Sequence, residues 1–476
     1  MGNELPEPQG QQREVVYLRG KGHCVALGVA GSGKTVMAVR RARYLATVPG
    51  LGGPTLLITF NGALVTYLKS LVDKESGVTV EQYHLFARRI LQEHFGRSPR
   101  ICDSSTRNGL IARALKDVRL GAAERSAAFR KPVRFFADEF DWLNGNGIGD
   151  FDEYLSGELD RVGRGSNLLK ADRLVVYKVY RRYQVLLSNA GFDLDWSSLA
   201  SELLRTLNSE VALHGYRHVV VDEGQDFTPE MIRSLAALIP EDGSLTFFGD
   251  YAQQIYGSRM SWKSLGLKVT GGRLVRFDRN YRNTRQIAQL AKAISDYPKF
   301  GDGIELVEPT TPVRSGKLPL LTDADSDIRL IEAAAHFATN LCIDRNTQEK
   351  DQRVAVLSRD EALTERIARL VKRQRTLRLH KGMTKWDQSP GVYYGPYSEA
   401  RGLEFDTVVL PFRAEDEMPP EANIEAFGLE EAKVRQAREL YVAVTRARTD
   451  VVLIHHGRLT SVLPVAESGI YELLSS

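Results

Sequence analysis

Cysteine is scarce. Cys24, Cys102 and Cys342 lie far apart and without metal-ligand spacing, which excludes a disulfide framework and a zinc module and points to a reducing cytoplasm. No apolar run approaches the ~18 residues a membrane span needs, and MGNELPEPQG lacks a basic-then-apolar leader pattern. Net charge is nearly absent too: Lys+Arg 64 against Asp+Glu 60 leaves +4, so overall charge says nothing about nucleic acid and any basic groove must be local. There is no repeat of solenoid period and no low-complexity linker. What remains, 43% hydrophobic and 26% charged over 476 residues, is the composition of a packed protein with room for two or three globular units.

Short β-branched runs recur, each followed by a turn and an amphipathic stretch, which is how parallel-sheet α/β units read. They are HCVALG (23–28), TLLITF (55–60), HVVVDE (218–223), LTFFGD (245–250), RVAVLSR (353–359) and TVVLPF (407–412). Between Phe86 and Arg205 helical periodicity takes over without comparable strands, so a helical insertion within the first α/β lobe is expected. Charge is blocked there: 88–134 holds 12 Lys/Arg and 4 Asp/Glu, whereas 138–160 holds 8 Asp/Glu and no Lys or Arg, a pattern of solvated helix faces. A second basic stretch, 362–385, places Arg366, Arg369, Lys372 and Arg373 on one expected helical face, where phosphate contact is plausible.

GVAGSGKT (28–35) follows a strand and opens a helix, the context a phosphate-binding loop requires. Gly28, Gly31, Ser32 and Gly33 let backbone N–H groups close round phosphate oxygens, Lys34 adds a point charge, and the Thr35 hydroxyl is suited to Mg²⁺. In VVVDEGQD a buried strand delivers Asp222 and Glu223 to its C-terminal end, where ligands bind in open α/β sheets. Asp222 is expected to hold the Mg²⁺ and Glu223 to orient and deprotonate the attacking water. Alone, Asp-Glu after a strand is an ordinary solvated strand end; the upstream loop gives it meaning.

With these two elements the chain resembles the UvrD/Rep-like superfamily 1A helicases along nearly its whole length. QQREVV resembles the family's Q motif, so Gln12 would read adenine. LTFFGDYAQQIYG resembles motif III, making Gln253 a γ-phosphate sensor, with Tyr256 and Arg259 facing the strand. FDRNYRNTRQIA resembles motif IV, so Tyr281 would stack on adenine and Arg282 reach the γ-phosphate. EARGLEFDTVVLP resembles motif V, with Glu404 near the ribose, and RELYVAVTRAR resembles motif VI, with Arg446 as second arginine. Resemblance to motifs Ia and Ib puts Phe60, Asn61, Tyr83 and His84 beside single-stranded nucleic acid. The implied fold is α/β: two RecA-like lobes, parallel sheets flanked by helices, with lobe 1A over 1–86 and 201–272, a helical 1B insertion over 87–200, and lobe 2A over 273–476.

Departures from the family pattern bear on strand grip. Ser258 replaces a stacking tryptophan, for which Trp262 is the nearest substitute. PYSEARG puts Ser398 for a histidine and Arg401 for a lysine, and Val36 stands where relatives often carry an arginine near the adenine. Residues 289–398 are mostly needed for the second lobe itself, leaving no room for the accessory 2B domain. The resemblance implies an ATP- and Mg²⁺-dependent 3′→5′ DNA helicase and single-stranded DNA translocase. The alternatives are a regulatory ATPase subunit working with a separate nuclease or other effector, as in Gabija-like antiviral defence, or a factor acting on RNA or RNA polymerase.

Overall fold

The computed structural model describes residues 5–73, 75–121, 126–156, 168–209, 215–250, 262–269, 272–300, 314–342, 352–380, 383 and 389–474, apart from the side chain of residue 415. In chain order, α1 (Gln11–Val16), β1 (Cys24–Gly28), α2 (Lys34–Thr47), β2 (Thr55–Thr59), α3 (Gly62–Leu71), β3 (Val78–Gln82) and α4 (Tyr83–Phe95) begin the first lobe. The chain leaves it through β4 (Ile101–Cys102), α5 (Ser104–Leu120), α6 (Val133–Asn146), α7 (Phe151–Ser156) and α8 (Lys170–Asn189). It returns by β5 (Leu194–Asp195), α9 (Leu199–Ser209), β6 (His218–Val221), α10 (Pro229–Ala237), β7 (Ser244–Gly249) and β8 (Leu274–Phe277).

Six of these strands form a parallel sheet in the order β3-β2-β6-β7-β1-β8, while β4 and β5 pair with each other apart from it. Every residue of β1, β6 and β7 is buried, as expected of parallel strands covered on both faces. Alternation splits them between two apolar layers. Cys24, Ala26, Val220 and Phe248 meet α1, α2 and α3 on one side, while Val25, Leu27, Val219 and Phe247 meet α4, α9 and α10 on the other. Because β6, β7 and β1 are neighbours, the loops that follow them open side by side at one edge. That edge is where an open α/β sheet binds its ligand.

Three sequence boundaries need correction. The first lobe does not end at 272: Leu274–Phe277 pairs in parallel with Val25–Gly28 as the edge strand, and its exposed-buried alternation made LVRF a weak signal. Residues 87 and 200 are not the limits of the insertion either. They fall inside α4 and α9, whose Phe86, Ile90, Leu91, Leu199 and Leu203 pack on the first sheet. A separate core runs from Cys102 to Leu187, centred on Ile111, Phe136, Phe140, Val176 and Tyr183, with Ala426 and Phe427 added from far along the chain. Arg107, from the basic block, pairs within the insertion with Asp141 of α6 at 2.7 Å and reaches the buried Asp195, on the strand that leads back to the first lobe, at 3.1 Å.

The second lobe comprises α11 (Arg285–Ser295), β9 (Leu320–Asp323), α12 (Asp327–Leu341), β10 (Arg353–Ser358), α13 (Glu361–Leu370), β11 (Thr376–Arg378), β12 (Gly391–Pro396), β13 (Phe405–Phe412), α14 (Glu421–Phe427), α15 (Leu429–Thr445), β14 (Ala447–His455) and β15 (Glu472–Leu474). Its sheet is parallel too, in the order β11-β12-β10-β13-β14-β9-β15. The basic stretch does not keep four cations on one helix face. α13 ends at Leu370, and Lys372 and Arg373 lie beyond it, Arg373 with φ 64°. Among the described residues no helix is long and apolar enough to cross a membrane, and no cysteine forms a disulfide.

Candidate active site and strand groove

The phosphate loop bends at Gly31 (φ 76°) and Gly33 (φ 80°) before α2 begins. A Cβ on Gly31 would sit 2.3 Å from the Asn280 Oδ1 and 2.7 Å from the Arg282 Cβ, so residues 280–282 lie directly against the loop. Lys34 Nζ donates to the carbonyls of Gly28 and Val29, both at 2.8 Å, and stands 3.6 Å from the Asp250 carboxylate. Burial lowers its pKa, while Asp250, Glu223 and Asp222 oppose that shift. Gln12, on α1, donates through Nε2 to the Ser32 carbonyl at 2.9 Å and accepts at Oε1 from the Gln9 amide at 3.0 Å. Each end of that amide keeps one bonding position, a donor beside an acceptor.

Asp222 and Glu223 follow β6, beside the loop. Both Asp222 carboxylate oxygens are buried and have no hydrogen-bond partner among the described residues. Burial and the neighbouring Glu223 raise its pKa, with Thr35 and Lys34 acting the other way. An orphaned carboxylate beside a threonine hydroxyl suits a divalent cation. Among the described residues no group of three or more His, Cys, Asp or Glu could hold one alone, so the remaining ligands would come from phosphate and water, as Mg²⁺ prefers. Glu223 has left-handed backbone, φ 52° and ψ 44°, uncommon for a residue with a side chain. Gln225 donates to the Glu223 carboxylate and accepts from the Asp250 amide at 2.8 Å, fixing the acid against the next strand end. Gly224 is required there, since a Cβ would meet the Phe247 ring at 2.3 Å.

The second lobe brings its own groups to this edge. β13 and β14 pair with Phe405 opposite Ala447, and the Phe405 amide donates to the Arg446 carbonyl at 3.0 Å, which sets Glu404 beside Arg446. Asn283 Nδ2 donates to the carbonyls of Thr445 (3.2 Å) and Ala447 (2.5 Å), tying residues 280–283 to the same strand start. Arg446 is buried, and burial with the nearby Arg282 lowers its pKa to about 10, offset by Glu223, Asp250 and Glu404. Glu404, expected near the ribose, is ion-paired with Arg282; burial would raise its pKa, but Arg282, Arg448 and Arg446 hold it below the usual range. Lys34, Thr35, Asp222, Glu223, Arg282, Glu404 and Arg446 therefore converge. Tyr281 is 46% exposed and, with Gln12, lines a cavity of about 250 Å³ beside the loop. Gln253, Tyr256 and Arg259 lie outside the described residues.

A groove of about 520 Å³ runs between the lobes and the insertion, lined by Phe60, Asn61, His84, Trp196, Ser398 and Arg401 among others. Phe60 and His84 rings are 5.0 Å apart, and Trp196 lies 5.7 Å from His84. Tyr83 does not belong with them. It is fully buried, its hydroxyl 2.7 Å from Ser234, because the first residue of α4 turns into the sheet core. Asn61 caps α3 by accepting from the Ala63 amide at 2.8 Å and donates to the Arg401 carbonyl at 3.0 Å. Trp262 packs on Phe247 at 5.1 Å in the first-lobe core and does not stand in for the missing stacking ring.

Sequence reasoning missed four groups. Trp196 lies 40% exposed in this groove; a lone tryptophan in a helical stretch reads as core, and only its place at the return to the first lobe marks it. Gln225, Asp226 and Asp250 were in view within DEGQD and FFGD, yet carried no role until the fold placed them. Asp226 pairs with Arg401 across the lobes at 2.9 Å.

Residues 9–269 match the UvrD/REP helicase N-terminal domain family, and 398–458 the UvrD-like helicase C-terminal domain family. The chain is 29% identical over 311 residues to the ATP-dependent DNA helicase UvrD2 of Mycobacterium tuberculosis, covering 60% of this chain and 42% of that one. It is 25% identical over 314 residues to DNA helicase II of Escherichia coli, covering 60% and 39%, and 23% identical over 496 residues to DNA helicase IV of the same organism, covering 93% and 67%. It thus spans about two-fifths of the length of UvrD2 and DNA helicase II. With more than half of its length matched by the first of these families and its two parallel-sheet lobes arranged as described, the chain belongs to the UvrD-like superfamily 1A helicases.

Proposed function

We propose that this chain hydrolyses ATP to move along single-stranded DNA in the 3′→5′ direction and to separate strands ahead of it. The observation that carries the reading is the meeting of Arg282 and Arg446, from the second lobe, with Lys34, Glu223 and Asp250 of the first. The ATP-dependent DNA helicases it resembles support the choice of substrate.

In this reading the loop amides and Lys34 bind the phosphates, and Thr35 and Asp222 hold Mg²⁺, which when bound neutralises charge on the phosphate oxygens. Glu223, fixed by Gln225, orients the water and takes its proton. Arg282 and Arg446 have a strong partner in the γ-phosphate only until it is cleaved, so hydrolysis removes the contact that favours closure. The groove residues Phe60, His84 and Trp196 stack bases, and the Arg401–Asp226 pair ties the strand-facing loop of the second lobe to the strand end that carries Glu223. ATP turnover titrated with single-stranded DNA and RNA oligonucleotides tests this, with displacement of a strand annealed to a 3′-tailed partner as the second measurement. Turnover of the wild-type chain indifferent to both nucleic acids would overturn the reading, and equal turnover by Glu223→Gln would remove Glu223 as base.

A further inference from the structure

We infer that the Tyr67 hydroxyl, on α3 of the first lobe, takes over the Glu404 carboxylate when a γ-phosphate draws Arg282 away from it, forming a hydrogen bond across the cleft. Tyr67 is then a positioning residue that acts through Glu404. The inference rests on the reading of Arg282 as a γ-phosphate contact and goes beyond it by assigning what becomes of the partner that Arg282 leaves. The placement of Tyr67 follows from how α3 meets the second lobe. At the start of the helix, Asn61 Nδ2 donates to the Arg401 carbonyl at 3.0 Å. One turn further, a Cβ on Gly402 would meet the Leu64 side chain at 2.7 Å, so the helix lies directly against the segment that leads into Glu404. Residues three apart share a helix face, and Tyr67 follows Leu64 by three. Tyr67 is partly buried. Burial raises the pKa of its hydroxyl, Glu404 adds to the rise, and Arg353 and Arg282 oppose it. That hydroxyl makes no hydrogen bond among the described residues, whereas Arg353 is engaged with Asp406, 3.8 Å from its side chain.

Arg282 stands between two acceptors. It is ion-paired with Glu404, yet its Nε is buried without a hydrogen-bond partner among the described residues, so the pair leaves part of the guanidinium unsatisfied. A phosphoryl group offers the guanidinium two parallel bonds and more charge than one carboxylate does. When Arg282 turns to it, a Glu404 oxygen is freed. An O–H donating to an ionised carboxylate makes one of the stronger hydrogen bonds, and a phenolic hydroxyl can rotate to suit its acceptor. Arg446 and Arg448 also face Glu404, and both belong to its own lobe. Tyr67 is carried by the other lobe on a helix whose Leu64, Leu68 and Leu71 are seated in the first-lobe core, so its bond, unlike theirs, joins the two lobes. After cleavage Arg282 returns to Glu404, and the cross-lobe bond is released with the phosphate.

Affinities of the full chain for a non-hydrolysable ATP analogue and for ADP, each with Mg²⁺ and measured by competition against a fluorescent nucleotide, test this. Tyr67→Phe removes the hydroxyl and keeps the ring. It should weaken the analogue by between about tenfold and a hundredfold, the scale of one hydrogen bond to a charged group. ADP should stay within about twofold, because it offers Arg282 no γ-phosphate. In a Glu404→Ala background the same change should have no further effect on either nucleotide, as a double-mutant cycle requires of two groups that act on each other. Equal weakening of both nucleotides would mean that the hydroxyl supports α3 itself, and the handover is overturned. A loss that persists without Glu404 overturns it too. If Tyr67→Phe leaves both affinities unchanged while Arg282→Ala loses the preference for the analogue over ADP, Arg446 and Arg448 receive Glu404 unaided: the handover falls and the nucleotide reading stands. Should Arg282→Ala keep that preference, Arg282 does not meet the γ-phosphate, and that part of the nucleotide reading fails together with the handover.

Discussion

Asp222 sets a pH dependence that can be worked out from its surroundings. Its carboxylate is buried with no hydrogen-bond partner on either oxygen among the described residues, and burial together with Glu223 raises its pKa against the lowering effect of Thr35 and Lys34. In the unfolded chain it returns to about 3.9. A raised native value means that the unfolded chain gives up its proton first as pH rises, so this site's share of stability is intact below the ordinary carboxylate range and is lost as pH climbs through the native value. Asp222→Asn removes that dependence. In nucleotide-free protein without divalent cation, the melting temperature of wild type should fall relative to Asp222→Asn as pH is raised from about 4 toward neutrality. Parallel Tm–pH curves would remove the conflict assigned to Asp222. Arg401 poses the converse case. Its guanidinium meets Asp226, whose side chain is 3% exposed, and Arg401→Ala would strand that carboxylate. A loss of about 3–5 kcal/mol is the usual scale for breaking such a pair, read from denaturant midpoints, with Arg401→Lys recovering part of it.

At the scale of elements, the phosphate loop and the segment 280–283 are one construction. Gly31→Ala forces a methyl to within 2.3 Å of Asn280 and 2.7 Å of Arg282 from a backbone that favours glycine. The segment carrying Tyr281 and Arg282 would have to move. A displacement near 1 Å costs on the order of 10² in turnover, so kcat/KM for ATP should drop by about that factor, and the melting temperature should fall as well because alanine is strained at positive φ. This coupling was invisible in the sequence, where GVAGSGKT and FDRNYRNT are some 250 residues apart and each reads as complete. What was legible follows a physical rule. Runs buried on both faces, such as HVVV and TLLIT, announced themselves, and so did the two nucleotide motifs. Edge strands with one polar face, VTVEQ and LVRF, did not, because alternation over four or five residues also suits a loop. ARTDVVLIH was hidden by the helix that ends at Thr445 immediately before it. Tyr83 and Trp196 exchanged roles for a related reason. An aromatic residue shows its size in sequence and its direction only in the fold.

Across the whole molecule, the second lobe and the helical insertion are joined at a point that neither lobe needs for its own sheet. Phe427 ends α14 and is 2% exposed, yet the core it enters is that of the insertion, with Phe136, Phe140 and Tyr183. The Arg435 guanidinium lies 3.7 Å from the centre of the Phe427 ring and reaches Asp138 of α6 at 3.5 Å. Asp138, Trp142 and Arg435 also line a smaller cavity of about 220 Å³ together with Phe60, Trp196 and Phe227, so this contact bridges one side of the strand groove. The lobes are also tied by the pair of Arg401 and Asp226, both of which line the larger groove. Removing a buried phenyl costs about 3–5 kcal/mol where the neighbours cannot close the gap. Phe427→Ala should therefore loosen the bridge without unfolding either sheet, because the core that ring enters is the insertion's and not that of either lobe. Amide hydrogen exchange is the measurement: α6 and α14 should exchange faster in the variant, while β6, β7 and β13 keep their protection. Faster exchange throughout β13 would mean that Phe427 supports the second lobe instead, and unchanged exchange in α6 would mean that the insertion holds its place through Arg107 and Asp195 alone.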